Sequence, residues 1–300
     1  MTEPKGRGVA WTEERGASAT SDEGRRRSEG GMGRRAGLRG LKSALHAEWT
    51  KLRTVAATFW LLAATIALTV TVSAMAAAAV TCPAGLACPV DTVKISLTGI
   101  MLGQAVVAIL AVQAISSEYS TGTIRITLTA IPRRPTMLTA KAAILTGLVL
   151  AAGVIAVAGS VLAGRLILPG RGFTAARGFP PLSPADGPVL RAAAGSVLYL
   201  ALIALLSLGL ATIIRDSAAA IGVVLGLLYL PPLIVAALAD DPEWQHRIER
   251  YSPMSAGLTI QDTTGLHNLP ISPWGGIGVL ASWAAAALLV SGLMLRLRDA

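Results

Sequence analysis

The chain has 300 residues, of which 53% are hydrophobic and 14% charged, with a formal net charge of +9 and a mean hydropathy of +0.61. Soluble globular domains carry about a quarter charged residues, so this composition excludes an ordinary water-soluble core. The apolar residues arrive in long blocks, and the solvent that such blocks face is lipid.

Residues 1–40 hold nine Gly and eight Arg, including Arg25-Arg26-Arg27, and show no hydrophobic periodicity. Such a stretch buries too little apolar surface to offset chain entropy, so a disordered, solvated basic tail is expected, with Met32 as an alternative start. The first apolar block is preceded by 57 residues, too long a lead-in for a signal peptide, so that block is expected to stay in the mature chain. In residues 41–57, Leu41, Leu45, Trp49, Leu52 and Val55 recur at helical spacing, while Lys42, His46, Lys51 and Arg53 occupy other faces. This is the pattern of an amphipathic helix lying on the membrane surface, with Trp49 at the headgroups.

Six blocks follow, at 58–80, 95–115, 142–164, 192–214, 217–239 and 275–295, none with Asp, Glu, Lys or Arg in its interior. A hydrocarbon core about 30 Å thick needs about 20 such residues as a helix, which satisfies its own backbone hydrogen bonds. The expected fold is therefore an all-α integral membrane protein with six transmembrane helices over 58–295 and a short tail at 296–300. Lys and Arg number 19 on the side of the two termini and 7 on the other, which predicts that both termini are cytoplasmic. The segment 165–191, with four outer Arg, is the misfit.

Between the second and third blocks lies a polar, basic island, 116–141, carrying Glu118, Tyr119, Gly122, Arg125, Arg133, Arg134 and Lys141. A positive-inside loop accounts for Arg133, Arg134 and Lys141 but leaves Glu118 and Tyr119 without a reason, so docking of a soluble partner is expected here. Cys82 and Cys88 fall in the first outer loop, where a disulfide and two free thiols both fit. Gly222 and Gly226 form a Gly-x-x-x-Gly in the fifth block, a candidate helix-packing surface. Pro231-Pro232 is expected to break or kink that helix.

The familiar catalytic motifs do not occur. The chain has no Gly-x-x-x-x-Gly-Lys-Ser/Thr phosphate loop and no His-Glu-x-x-His, so it is not expected to be an enzyme by itself or to bind ATP or a metal directly. Gln104, Gln113, Ser160, Tyr199, Ser207 and Tyr229, the polar residues within the blocks, are neutral and read as interhelical hydrogen-bonding groups. Energy for any work is then expected from a partner.

The chain resembles the membrane subunit of an ABC-2 type transporter. The resemblance rests on Glu48-Trp49-Thr50-Lys51-Leu52-Arg53-Thr54 before the first helix, Ser117-Glu118-Tyr119-Ser120-Thr121-Gly122-Thr123-Ile124-Arg125 after the second, and Pro132-Arg133-Arg134 with Lys141 before the third. It extends through Ile214-Arg215-Asp216-Ser217, Pro231-Pro232, Ser252-Pro253-Met254-Ser255-Ala256-Gly257 and the terminal Arg296-Leu297-Arg298-Asp299-Ala300. The long Gly/Arg-rich start departs from the pattern. The resemblance implies an ABC-2 permease bundle in the cell membrane, paired with a second permease subunit as a homo- or heterodimer. It implies a cytoplasmic ATPase subunit that supplies ATP and Mg, a coupling helix between the second and third helices, and export as the direction. Glu118, Tyr119, Gly122, Arg125, Arg133 and Arg134 then become coupling residues, Glu48, Trp49, Lys51 and Arg53 belong to the interfacial helix, and the loop 240–273 becomes an outer re-entrant region. Two other classes stand beside this reading. One is a membrane scaffold or sensor recruiting a soluble protein through the island; the other is a membrane-embedded enzyme using Asp241, Glu243 or His246. A nucleic-acid partner is not expected, and no motif identifies a cargo.

Overall fold

The computed structural model describes residues 56–83, 88–120, 134–183, 185–237 and 242–297. Among the described residues nine α-helices run in chain order: α1 (Ala56–Ala79), α2 (Thr92–Ser96), α3 (Ile100–Ser120), α4 (Arg134–Ile167), α5 (Gly187–Ile214), α6 (Ser217–Ala237), α7 (Pro242–Tyr251), α8 (Pro253–Leu258) and α9 (Pro273–Leu297). Short 3₁₀ turns at Leu168–Arg171, Ala175–Arg177, Thr259–Gln261 and Leu266–Asn268 fill the connections. The described residues contain no β-strand. The tail 1–40, residues 41–55 of the surface helix and 298–300 lie outside the described residues.

Among the described residues five helices, α1, α4, α5, α6 and α9, are long and apolar enough to cross a membrane. The chain is thus an all-α, multi-pass membrane protein. The apolar stretch of α3, Ile100–Ser116, is shorter, because the second predicted block, 95–115, is broken near its start. α2 ends at Ser96, the chain turns through Leu97–Gly99, and α3 begins at Ile100. The turn sits directly on α1: a Cβ on Gly99 would collide with the Thr69 carbonyl, and the Gly99 N–H donates to Ser73 Oγ at 3.0 Å. Only glycine allows that approach.

The helices are built for lipid rather than water. α1 buries Thr58, Thr65, Thr69, Ser73 and Ala77, a stripe of small residues at a spacing of about four, and turns Phe59, Trp60, Leu68 and Met75 outward. Small residues inside and large apolar ones outside is the membrane pattern, because outward leucines and aromatics lose nothing in hydrocarbon. α5 is the central post, packing on α3, α4, α6 and α9. Within its spanning window 61% of the residues are buried, against 17% in α6 at the periphery.

Two connections follow from local chemistry. Arg215 closes α5 in the left-handed region at φ 63°, and Asp216 Oδ1 accepts from Ala219 N at 2.7 Å, capping α6. Of the break or kink expected at Pro231-Pro232, the break does not occur: α6 continues through both prolines to Ala237. Proline removes a backbone donor, but a spanning helix tolerates it where neighbouring groups re-satisfy the freed carbonyls. α4 begins at Arg134, eight residues before the predicted 142, and so takes in Lys141.

Candidate functional site

Two polar assemblies stand out, one at each end of the bundle. The first is the joint between α3 and α4. Glu118 and Tyr119 lie in the last turn of α3, and Arg134 is the first residue of α4; Gly122, Arg125 and Arg133 lie outside the described residues. Two turns into α4, Lys141 is buried, 1% exposed, and its Nζ donates to the Ala114 carbonyl of α3 at 2.9 Å. A carbonyl oxygen has two lone pairs, so Ala114 can accept from Lys141 and keep its helical bond. A buried amino group needs a hydrogen-bonding partner. Lys141 thus fastens the last turns of α3 to the first turns of α4, on either side of residues 121–133.

The second assembly caps the opposite end. Ser252 Oγ accepts from Ser255 N at 3.2 Å and Pro253 fills the first turn, so α8 starts abruptly after α7. The chain from Pro253 to Asp262 then folds back among the long helices, with Met254, Ala256, Ile260 and Gln261 buried. Gln104 Nε2 of α3 meets Met254 Sδ at 3.1 Å, and Gln261 Nε2 donates to Ser196 Oγ of α5 at 3.2 Å. Gly257 packs against the Tyr199 ring, where a Cβ would come within 2.6 Å of Cε2. The Tyr199 hydroxyl donates in turn to Gln104 Oε1.

Above this insertion a charged latch ties the loop before α2 and residues 262–264 to each other and to the start of α5. Asp91 Oδ1 caps α2 by accepting from Val93 N at 3.0 Å and Lys94 N at 3.2 Å. Its other oxygen accepts from Thr263 N at 2.5 Å and Thr264 N at 3.0 Å, and the Thr263 hydroxyl adds a further bond. Lys94 Nζ pairs with Asp262 Oδ1 at 2.6 Å, and Arg191 Nη2 donates to the Asp262 carbonyl at 2.5 Å. Beside the latch, Cys82 and Cys88 form a disulfide with Cα atoms 6.0 Å apart. That loop is stitched to the α4–α5 connection by Cys82 N donating to the Arg171 carbonyl at 2.9 Å and Arg177 Nη1 donating to the Cys82 carbonyl at 2.8 Å.

These contacts explain part of the charge misfit at 165–191. Arg177 and Arg191 serve as donors to backbone carbonyls rather than as free surface charge. Of the six neutral polar residues, Gln104, Tyr199 and Tyr229 bridge helices, the last through its hydroxyl to the Met101 carbonyl. Ser207 bonds back to Ile203 within α5, Gln113 faces outward, and Ser160 Oγ is buried without a partner. Among the described residues, Gly222 has nothing near its Cβ position and Gly226 meets only Leu230 of its own helix, so none of them packs on this face of α6. Among the described residues no three His, Cys, Asp or Glu converge as a metal-binding group.

The latch was not foreseen in the sequence, except that Asp91 before Thr92-Val93 has the form of an N-cap. Nothing local marks Thr263 and Thr264 as partners of Asp91, 172 and 173 residues away, or Asp262 as the partner of Lys94, 168 residues away. No family model matches the chain, and no curated protein matches it.

Proposed function

We propose that this chain is the permease subunit of an ABC-2 type exporter, with α3 as the sixth membrane span and the joint between α3 and α4 facing a cytoplasmic ATPase subunit. The reading rests first on the order of the sequence motifs against the apolar helices. The observation in the fold that supports it most is the Lys141 tie. A push on residues 117–134 is delivered to two helices fastened to each other, and both pack on the central post α5. The opposite end, closed by the 253–262 insertion and the Asp91 latch, is where an exit would open. The bundle interior offers hydrogen-bonding amides and hydroxyls at Gln104, Tyr199 and Gln261, which suits a path driven from outside rather than by a proton relay. The unpacked Gly222 and Gly226 face is the surface for a second permease subunit.

The test is a pull-down of the tagged protein from its native membrane in mild detergent, with ATP hydrolysis measured in the eluate. Wild type brings down an ATPase subunit, and a Glu118→Ala/Arg125→Ala variant loses it or leaves its hydrolysis uncoupled. Folded wild type that recovers no ATPase removes the reading.

A further inference from the structure

A crevice between α4 and α5 opens on the flank of the bundle at its capped end, lined by none of the polar side chains of the two assemblies. At Gly153 the helices touch: a Cβ there would sit 3.5 Å from Val197 Cγ1 and 3.6 Å from Leu200 Cδ1. Further along they part and leave a cavity of about 420 Å³, within the range of about 300–1,000 Å³ common for ligand sites. Ala158, Ala193 and Ala194 are too short to fill it, and Val157, Leu182 and Val189 form a buried floor. Its rim, Val154, Leu162 and Leu190, is exposed on the flank of the bundle, where the surroundings are hydrocarbon.

One lining residue is charged. Arg165 sits in the last turn of α4, exposed, and no acidic side chain pairs with it among the described residues. An Arg this near a helix end extends its stem along apolar surface and places its guanidinium at headgroup level. Its fork of N–H donors matches a phosphate bidentately. A site apolar throughout except for one cation at its mouth fits an amphiphile with a long tail and one anionic head, not a soluble ion.

We propose that this crevice binds an anionic glycerophospholipid, one acyl chain lying between α4 and α5 and the phosphate on Arg165. The inference rests on membrane embedding and is independent of the permease reading. A net anionic headgroup is preferred over phosphatidylcholine, whose choline offsets the phosphate charge.

The test is native mass spectrometry of the full chain in mild detergent, titrated with phosphatidylglycerol and with phosphatidylcholine of the same acyl composition. Wild type retains one phosphatidylglycerol with a preference of about fivefold, the scale of one Arg acting on one anionic headgroup. Arg165→Gln, an exposed change that leaves the packing intact, binds both lipids equally. Ala194→Trp fills the crevice and retains neither; Ala158→Trp, on the opposite wall, repeats the measurement if the first variant does not accumulate. Equal retention of the two lipids by wild type overturns the proposal, as does unchanged preference in Arg165→Gln or unchanged retention in the tryptophan variants.

Discussion

Asp91 carries more of the capped end than any other side chain. One carboxylate accepts from the backbone of α2 and from both Thr263 and Thr264. Hydrogen bonds to an ionised group contribute about 1.5–3 kcal/mol each in favourable cases, and Asp91→Ala removes the cap and the latch together. The variant is expected to lose about 2–4 kcal/mol, read as a lower melting temperature in detergent. Asp91→Asn retains part of the geometry and falls between. At the other end, Lys141→Met keeps the apolar stem and deletes the ammonium. Since it leaves the Ala114 carbonyl with its helical bond, the loss of stability is about 1 kcal/mol. If the tie transmits force, the same variant loses far more transport than stability, and a parallel measurement of melting and flux separates the two. A melting temperature unchanged by Asp91→Ala would refute the latch.

Among the elements, the fold-back of residues 253–262 depends on small residues where it meets the post. Gly257 against Tyr199 leaves no room for a branched side chain, so Gly257→Val forces the insertion away from α5. The expected cost is about 1–3 kcal/mol, with faster proteolysis of the 242–272 region as the readout. The disulfide closes a short loop, Cys82 to Cys88, six residues apart in sequence. Chain-entropy arguments assign about 2 kcal/mol to a loop of that size, so Cys82→Ser/Cys88→Ser lowers the melting temperature measurably without unfolding the bundle. The long helices themselves were legible, because runs of about 20 apolar residues have few alternatives. The break between α2 and α3 was not. Residues 95–115 read as one uninterrupted apolar run, and the cause is the approach of Gly99 to Thr69 on another helix, which no local pattern records. The early start of α4 has no local signature for a related reason. Its first two turns mix Arg134, Thr136, Thr139 and Lys141 with Met137, Leu138 and Ala140, so hydropathy does not mark them, yet Lys141 turns inward to α3.

The whole molecule is a bundle with unlike ends. At one end three loops are locked by a disulfide, an ion pair and a many-bonded carboxylate; at the other, α5 and α6 meet in a two-residue turn and α3 and α4 flank residues 121–133. The island at 116–141 was visible in the sequence as polarity between apolar blocks, whereas the latch could not be, since its members are scattered from Asp91 to Thr264. The proposed function needs the two ends on opposite faces of the membrane, the joint toward the cytoplasm and the latch outside. A single measurement addresses this: labelling of intact cells with a membrane-impermeant maleimide, using Asn268→Cys at the capped end and Arg125→Cys at the joint. Wild type, whose two cysteines are bonded to each other, is the blank. The account predicts that Asn268→Cys labels in intact cells and Arg125→Cys only after permeabilisation. Labelling of Arg125→Cys in intact cells would contradict it.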